Sequence, residues 1–352
     1  MAEPRAGTPR TRTPRLRGAK ADGPREVNLA LQGGGSHGAF TWGVLDALLE
    51  DGRLAFEGAS GTSAGAMNAV VLAHALTRAR LDGLKGQDAH EAARAALSAF
   101  WGQVGLLGNF SAGLPLPAAQ AVASWWAQWL SPAQTNPLGV NPLRTLLGRQ
   151  VDFELLARGE AMKVFVCATN VRTGVGEVFS DKRLTVDAVM ASACLPTVFK
   201  PVEIKGELYW DGGYSGNPAI YPLIYNTRSS DVVLVQINPV AVKFDASAGA
   251  QDIMDRVNEI TFNAPLLAEF RAIDFVARLL DEGRLDPARY KKMLLHRVDG
   301  GAALAGFGAA SKLRADAPFL QRLFELGRGV GQRWLKTHVE HIGVQSTATE
   351  AE

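Results

Sequence analysis

Residues 28–38 read Asn-Leu-Ala-Leu-Gln-Gly33-Gly34-Gly35-Ser-His-Gly38, and residues 61–65 read Gly61-Thr-Ser63-Ala-Gly65. The first stretch is an apolar strand running into three glycines. The second has the G-x-S-x-G spacing of a nucleophile elbow, which sets a serine on a strained turn between a strand and a helix. Gly61 and Gly65 flank the serine because a side chain there would clash as the backbone folds back. Together the two stretches give one hypothesis: Ser63 is a nucleophile, and the amides of Gly33, Gly34 and Gly35 form an oxyanion hole facing it.

A serine hydroxyl needs a base to take its proton. Histidine is the usual base, and the candidates here are thin: His37, His74, His90, His296, His338 and His341. His74 falls on an apolar helix, His90 opens a charged one, and His338 and His341 lie near a polar terminus. A carboxylate serves instead when desolvation raises its pKa towards the working pH. Asp211 follows the apolar run Leu208-Tyr209-Trp210 and opens a turn through Gly212 and Gly213. An aspartate before two glycines is also an ordinary turn signal, and taken alone the pattern is more often that.

Outward from these stretches, hydrophobic periodicity predicts an alternation of strands and helices. Strands are expected at 27–32, 54–60, 162–169, 177–180, 202–204, 207–210, 232–237 and 293–298. Helices are expected at 38–50, 64–76, 90–101, 186–193, 252–280 with a break at Pro265, and 318–338. Residues 102–142 read as irregular. This alternation indicates an α/β sandwich on a largely parallel sheet.

The composition is that of a globular chain: 352 residues, 47% hydrophobic, 20% charged. A net charge of +2 implies no general affinity for nucleic acid. Residues 1–25 hold seven basic groups against two acids, a net +5, so the remainder carries about −3. This Pro-, Arg- and Gly-rich stretch reads as a disordered tail. A basic arm for anionic lipid or polymer is the functional alternative. Two cysteines, Cys167 and Cys194, offer neither a disulfide framework nor zinc spacing. No apolar leader opens the chain and no uninterrupted apolar run reaches spanning length, so a cytoplasmic protein is expected.

Glycine loop, elbow and Asp-Gly-Gly, in this order, resemble the patatin-like phospholipase family. Ala191-Ser192-Ala193-Cys194-Leu195-Pro196, with Phe199 and Pro201, is similar to that family's segment ahead of the aspartate. The resemblance runs from about residue 27 to about residue 217. It implies a three-layer α/β/α sandwich and a Ser63–Asp211 dyad that hydrolyses acyl esters of lipids without metal or cofactor. It also makes a lipid, and peripherally a membrane surface, the expected partner. On this reading residues 26–240 are the hydrolase domain, and residues 241–345 a mostly helical C-terminal extension packed on it.

One position departs from the family pattern. His37 stands where Arg or Lys is common, two residues after the third glycine. A histidine at a helix N-terminus is biased towards neutrality. That favours neutral acyl esters over anionic phospholipids; the plainer reading is a hydrogen bond within the loop. Trp125, Trp126 and Trp129 share one side of a helical stretch, as a lipid-facing lid or as core. Two other functions remain open: a Ser–Asp–His triad through Ser63, Asp211 and His296, and a non-catalytic module binding lipid or polymer surfaces.

Overall fold

The computed structural model describes residues 23–112, 141–159, 161–196, 199–242 and 249–348. The tail at 1–22 and the tryptophans at 125–129 lie outside the described residues.

Five parallel strands form the centre of the sheet. They are β1 (Arg25–Leu31), β2 (Leu54–Gly61), β3 (Lys163–Asn170), β7 (Asp231–Gln236) and β8 (Leu294–Asp299), in the spatial order β3-β2-β1-β7-β8. Three short strands complete it: β4 (Gly176–Phe179) and β6 (Glu207–Asp211), both antiparallel to β3, and β5 (Val202–Ile204), antiparallel to β6. The fold begins one residue earlier than the predicted domain start. Arg25 opens β1 and reaches the Val339 carbonyl and the Glu340 carboxylate.

The sheet is covered on both faces, which is why β7 is buried at every residue. Val27, Leu29, Leu31, Val233 and Val235 point into the larger core. Against them lie helices α1 (Gly38–Asp51), α2 (Ala64–Leu81), α3 (Gln87–Ala112) and the late helix α10 (Ala317–His338). Ala30, Phe165, Val232 and Leu234, one step out of phase, meet α7 (Tyr221–Asn226) and α8 (Ala250–Asp281) on the other face. This period-two sorting of side chains produces the three layers. β8 and α10 belong to the same sheet and the same core as the glycine-loop strand, so the C-terminal stretch is built into the sandwich.

Two expectations need correction. The stretch after residue 101 is not irregular at its start, because α3 continues to Ala112 through Gly102, Gly105 and Gly108. A Cβ on Gly105 would stand 3.0 Å from the Ala317 Cβ, and one on Gly108 2.1 Å from the Ala315 carbonyl oxygen. These two glycines mark a close approach, not a helix end. Nor does Pro265 break α8, which runs unbroken from Ala250 to Asp281. An interior proline costs about 3 kcal/mol, but packing holds the helix on both sides of it. Asn263 bonds the Pro239 carbonyl, Leu266 is buried, and Glu269 accepts the Ile220 and Tyr221 amides.

Four short helices escaped the periodicity reading: α4 (Pro142–Gln150), α5 (Phe153–Leu156), α7 and α9 (Gly301–Leu304). The first two carry their start signals openly. Asn141 caps α4 ahead of a proline at its first position, and Asp152 caps α5. The remaining short helix is α6 (Val186–Ser192), expected from the sequence.

Candidate active site

Strand pairing brings the serine and the aspartate together. At Val166, β3 pairs with Gly61 of β2 and with Phe179 of β4. At Ala168 it pairs with Glu177 of β4 and with Asp211 of β6. One residue has one partner on each edge, so β6 lies along the same edge of β3 as β2. β2 stops at Gly61, where the chain turns into the elbow, and β6 occupies the edge beyond it. Asp211, the last residue of β6, therefore sits beside the turn that carries Ser63.

Ser63 has φ 53° and ψ −121°, a left-handed conformation that a serine adopts only under strain. The flanking glycines make the turn possible. A Cβ on Gly65 would be 2.1 Å from the Leu31 carbonyl oxygen, and one on Gly61 2.6 Å from the Gly65 carbonyl oxygen. Ser63 caps α2, so its hydroxyl lies at the positive end of an 18-residue helix. Its own amide donates to Ser192 Oγ at 2.9 Å.

Asp211 is 1% exposed. It accepts the Gly213 amide at 2.7 Å and lines the same pocket as Ser63. Burial pushes its pKa up from 3.8 to about 7, against the opposing pull of the Gly213 amide and the nearby Ser63 hydroxyl. Gly212 and Gly213 are needed for packing as well as for the turn. A Cβ on the first would meet the Cys167 carbonyl at 2.1 Å, and one on the second the Phe262 ring at 2.9 Å.

The glycine loop abuts the serine. A Cβ on Gly33 would stand 2.8 Å from the Ser63 Cβ. The three glycines differ in what their amides do. The Gly33 amide donates to Asn217 Oδ1 at 2.7 Å, so it is engaged inside the protein. The Gly34 and Gly35 amides have no acceptor among the described residues. Behind the loop, Gln32 Oε1 accepts the Ile237 and Asn238 amides, and Asn238 Nδ2 donates to the Gly33 carbonyl. This buried amide framework fixes the loop relative to β7.

Three residues of this site carried no role in the sequence reading. Asn217 and Asn238 gave no signal, because single asparagines are common in loops. Ser192 had one: it lies in the Ala191–Pro196 segment that carried the family resemblance. That segment touches both members of the pair, through Ser192 Oγ to the Ser63 amide and through the Cys194 carbonyl to the Asp211 amide at 2.8 Å.

His37 is neutral. Burial, and then the Lys312 charge, lower its pKa to about 4. Ser311 Oγ donates to the Gly308 carbonyl, so it accepts from His37 Nε2 at 2.7 Å, which leaves Nδ1 without a proton. His296 is not brought to the serine. Its Nε2 meets Asp231 Oδ1 at 2.9 Å and its Nδ1 meets Thr347 Oγ1 at 3.1 Å, both away from the elbow. The Ser–Asp–His alternative has no histidine in position.

A pocket of about 330 Å³ opens over the pair. Ser63 and Asp211 form its floor, and Met67, Phe100, Trp101 and Val104 give it apolar walls suited to an acyl chain.

The chain matches the family model described as patatin-like phospholipase over residues 29–224. Among solved structures it is similar to VipD from Legionella pneumophila, with 17% identity over 86% of this chain and 67% of that one, and a TM-score of 0.33. It is also similar to the heterodimeric ExoU–SpcU complex of the type III secretion system of Pseudomonas aeruginosa. There the identity is 18%, over 90% of this chain and 53% of the other, with a TM-score of 0.34. No curated protein matches the sequence.

Proposed function

The chain belongs to the patatin-like phospholipase family, and from that premise we propose that it hydrolyses lipid acyl esters through a Ser63–Asp211 dyad. The observation that carries the proposal is that a strained elbow serine shares one pocket with a buried aspartate whose pKa is raised to about 7. A structural serine needs neither the strain nor a desolvated carboxylate beside it, and a surface-binding module needs no elbow.

In the first half-reaction Asp211 takes the Ser63 proton as Oγ attacks the ester carbonyl carbon. The negative charge that develops on the carbonyl oxygen is met by the Gly34 and Gly35 amides. The engagement of Gly33 by Asn217 makes that glycine a brace of the loop in this mechanism. Collapse of the tetrahedral intermediate breaks the bond to the alcohol, and protonated Asp211 gives the alcohol its proton. A water molecule, deprotonated by Asp211, then attacks the acyl-serine and releases the fatty acid. Each oxyanion donor is worth roughly 10²–10³ in rate.

The acyl chain occupies the apolar pocket over Ser63. No described helix is long and apolar enough to cross a membrane, so on this proposal the enzyme meets its lipid peripherally or in dispersed form. The test has two parts. A fluorophosphonate probe should label the wild type and not Ser63→Ala, and a panel of lipid esters should release fatty acid only with the wild type. Equal fatty-acid release by Ser63→Ala would remove Ser63 from the mechanism.

A further inference from the structure

The polarity of α8 runs opposite to the usual pattern. A helix covering a sheet ordinarily turns its charges to water. The inner side of α8 does place Leu266 and Ile273 in the core beneath it, but its carboxylates serve the interior too. Glu269 accepts the Ile220 and Tyr221 amides, and Asp255 and Glu259 act on the half-buried Lys312 ammonium. The outer side is apolar. Ile253 (47% exposed), Val257 (47%), Ile260 (53%) and Phe275 (52%) stand on it, with Ala264 and Ala268 exposed between them. Steps of three and four residues put all six in one row. Arg271 is the single charge in that row. Scattered exposed apolar side chains are ordinary, but a contiguous row about 33 Å long marks a contact face.

The order of sizes along the row says what covers it. Ile253, Val257 and Ile260 fill its first half, Ala264 and Ala268 its middle, and Phe275 its far end. Laid antiparallel on a second copy, with a two-fold axis at Ala264, Ile260 meets Ala268. Val257 meets the aliphatic stem of Arg271, and Ile253 meets Phe275. An isologous interface requires this self-complementarity. A parallel pairing would set the large residues against one another, leave a gap at Ala264 and Ala268, and bring Arg271 against its own copy. With α8 about 48 Å long and about 10 Å across, the antiparallel pair buries roughly 1,000 Å², the lower limit of a specific interface.

A bilayer does not match the row. At the active-site end of the sheet, Asn263 accepts from Gln32 after β1 and donates to the Pro239 carbonyl after β7. At the opposite end, Asp281 pairs with Lys292 ahead of β8. The row therefore runs down the height of the sheet. A membrane facing the pocket over Ser63 would cover only its first end and leave Phe275 in water.

We propose that this outer face of α8 binds a second copy of the chain, giving a two-fold homodimer across antiparallel helices. The proposal goes beyond the hydrolase reading and does not depend on it.

Sedimentation velocity on the full chain, from low to high micromolar concentration, should show the mass doubling reversibly. Ile260→Glu puts a carboxylate at an exposed position. It should raise the dissociation constant about thirtyfold or more, the effect of losing a buried anchor, and leave the melting curve of the monomer unchanged. Cysteine trapping reads the register, since the native Cys167 and Cys194 are buried. Ala264→Cys, on the axis, should form a disulfide-linked dimer under mild oxidation. Ile260→Cys and Ala268→Cys should link to each other when mixed, and neither to itself, because like positions stand about 12 Å apart, out of disulfide reach.

A chain that is monomeric at every concentration, or a dimer indifferent to Ile260→Glu, overturns the proposal. Self-linking of Ile260→Cys would make the pairing parallel and overturn the two-fold arrangement. A monomer that floats with phosphatidylcholine–phosphatidylglycerol vesicles, and stops floating in Ile260→Glu, would assign the face to a lipid surface instead. A monomer whose Ala264→Cys resists a maleimide until it is unfolded would mean that the chain covers the row itself.

Discussion

Ser63 and Asp211 line one pocket, at the point where β2 ends and β6 continues along the same edge of β3. The aspartate is 1% exposed, and burial raises its pKa to about 7. On the proposed mechanism Asp211 is the base, so the ionised form is the active one. The expected kcat/KM rises with pH and levels off above about 7. A profile already flat at pH 5 would mean that another group, or none, takes the serine proton.

The same shift predicts a stability change of opposite sense. The native carboxyl holds its proton to about pH 7, whereas the ordinary value is 3.8. Between those values the unfolded chain loses the proton first, so the contribution of Asp211 to stability is present at low pH and lost as pH rises through about 7. Asp211→Asn removes this charge-burial cost. It should raise the melting temperature at pH 8, by an amount on the order of a few kcal/mol in stability, and change it little at pH 4. It should also lower activity by several orders of magnitude, since an amide cannot take the proton. A destabilised Asp211→Asn at pH 8 would contradict the assigned environment.

The backbone at Ser63 makes a second stability prediction. A non-glycine residue at φ 53° carries strain of about 1–3 kcal/mol. Ser63→Gly relieves it and Ser63→Ala does not. Both variants should be inactive, but urea denaturation should find the glycine variant the more stable despite its larger unfolded-state entropy. If alanine were the more stable, the turn would be unstrained.

The elbow, the glycine loop and Asp211 were legible in the sequence because each depends on local spacing, and local spacing survives without the fold. The strands were legible for the same reason: β7 is a run of β-branched residues, and β1 alternates between two cores. What could not be read depends on tertiary contact. Gly105 and Gly108 look like breaks until Ala315 and Ala317 are found against them. Pro265 looks like a stop until Asn263 and Glu269 are seen holding α8. Lys312 is one lysine among many until its turn is seen resting on Gly35. The caps at Asn141-Pro142 and Asp152, and the place of Ser192 in the Ala191–Pro196 segment, were present in the sequence and passed over.

Asn217 provides a test of the glycine loop as a braced element. Its Oδ1 is the acceptor for the Gly33 amide, while its Nδ2 has no partner among the described residues. Asn217→Ala frees the amide and lets the loop shift relative to Ser63. Stability should fall by about 1–3 kcal/mol, and kcat should fall by roughly 10²-fold with KM little changed, as expected when oxyanion donors are misplaced. An effect confined to KM would place Asn217 in substrate binding instead.

His296 decides between dyad and triad, and here structure and kinetics must agree. The side chain is fully buried on β8, with Asp231 on one ring nitrogen and Thr347 on the other. Asp231 also accepts the Gly343 amide at 2.7 Å. The histidine therefore ties β7 and β8 to the chain's last described residues and has no nitrogen left for the serine. His296→Ala leaves a buried carboxylate oxygen short of a donor and opens a void beside Trp334. The expected cost is about 1–3 kcal/mol for the lost hydrogen bond, with a further loss from the void. The melting temperature should drop, while kcat measured well below it changes by less than about tenfold, or ~1.4 kcal/mol of barrier. If His296→Ala were as inactive as Ser63→Ala at a temperature where its circular dichroism is native, the buried pair with Asp231 would not be its working position. The Ser–Asp dyad would then have to give way to a triad.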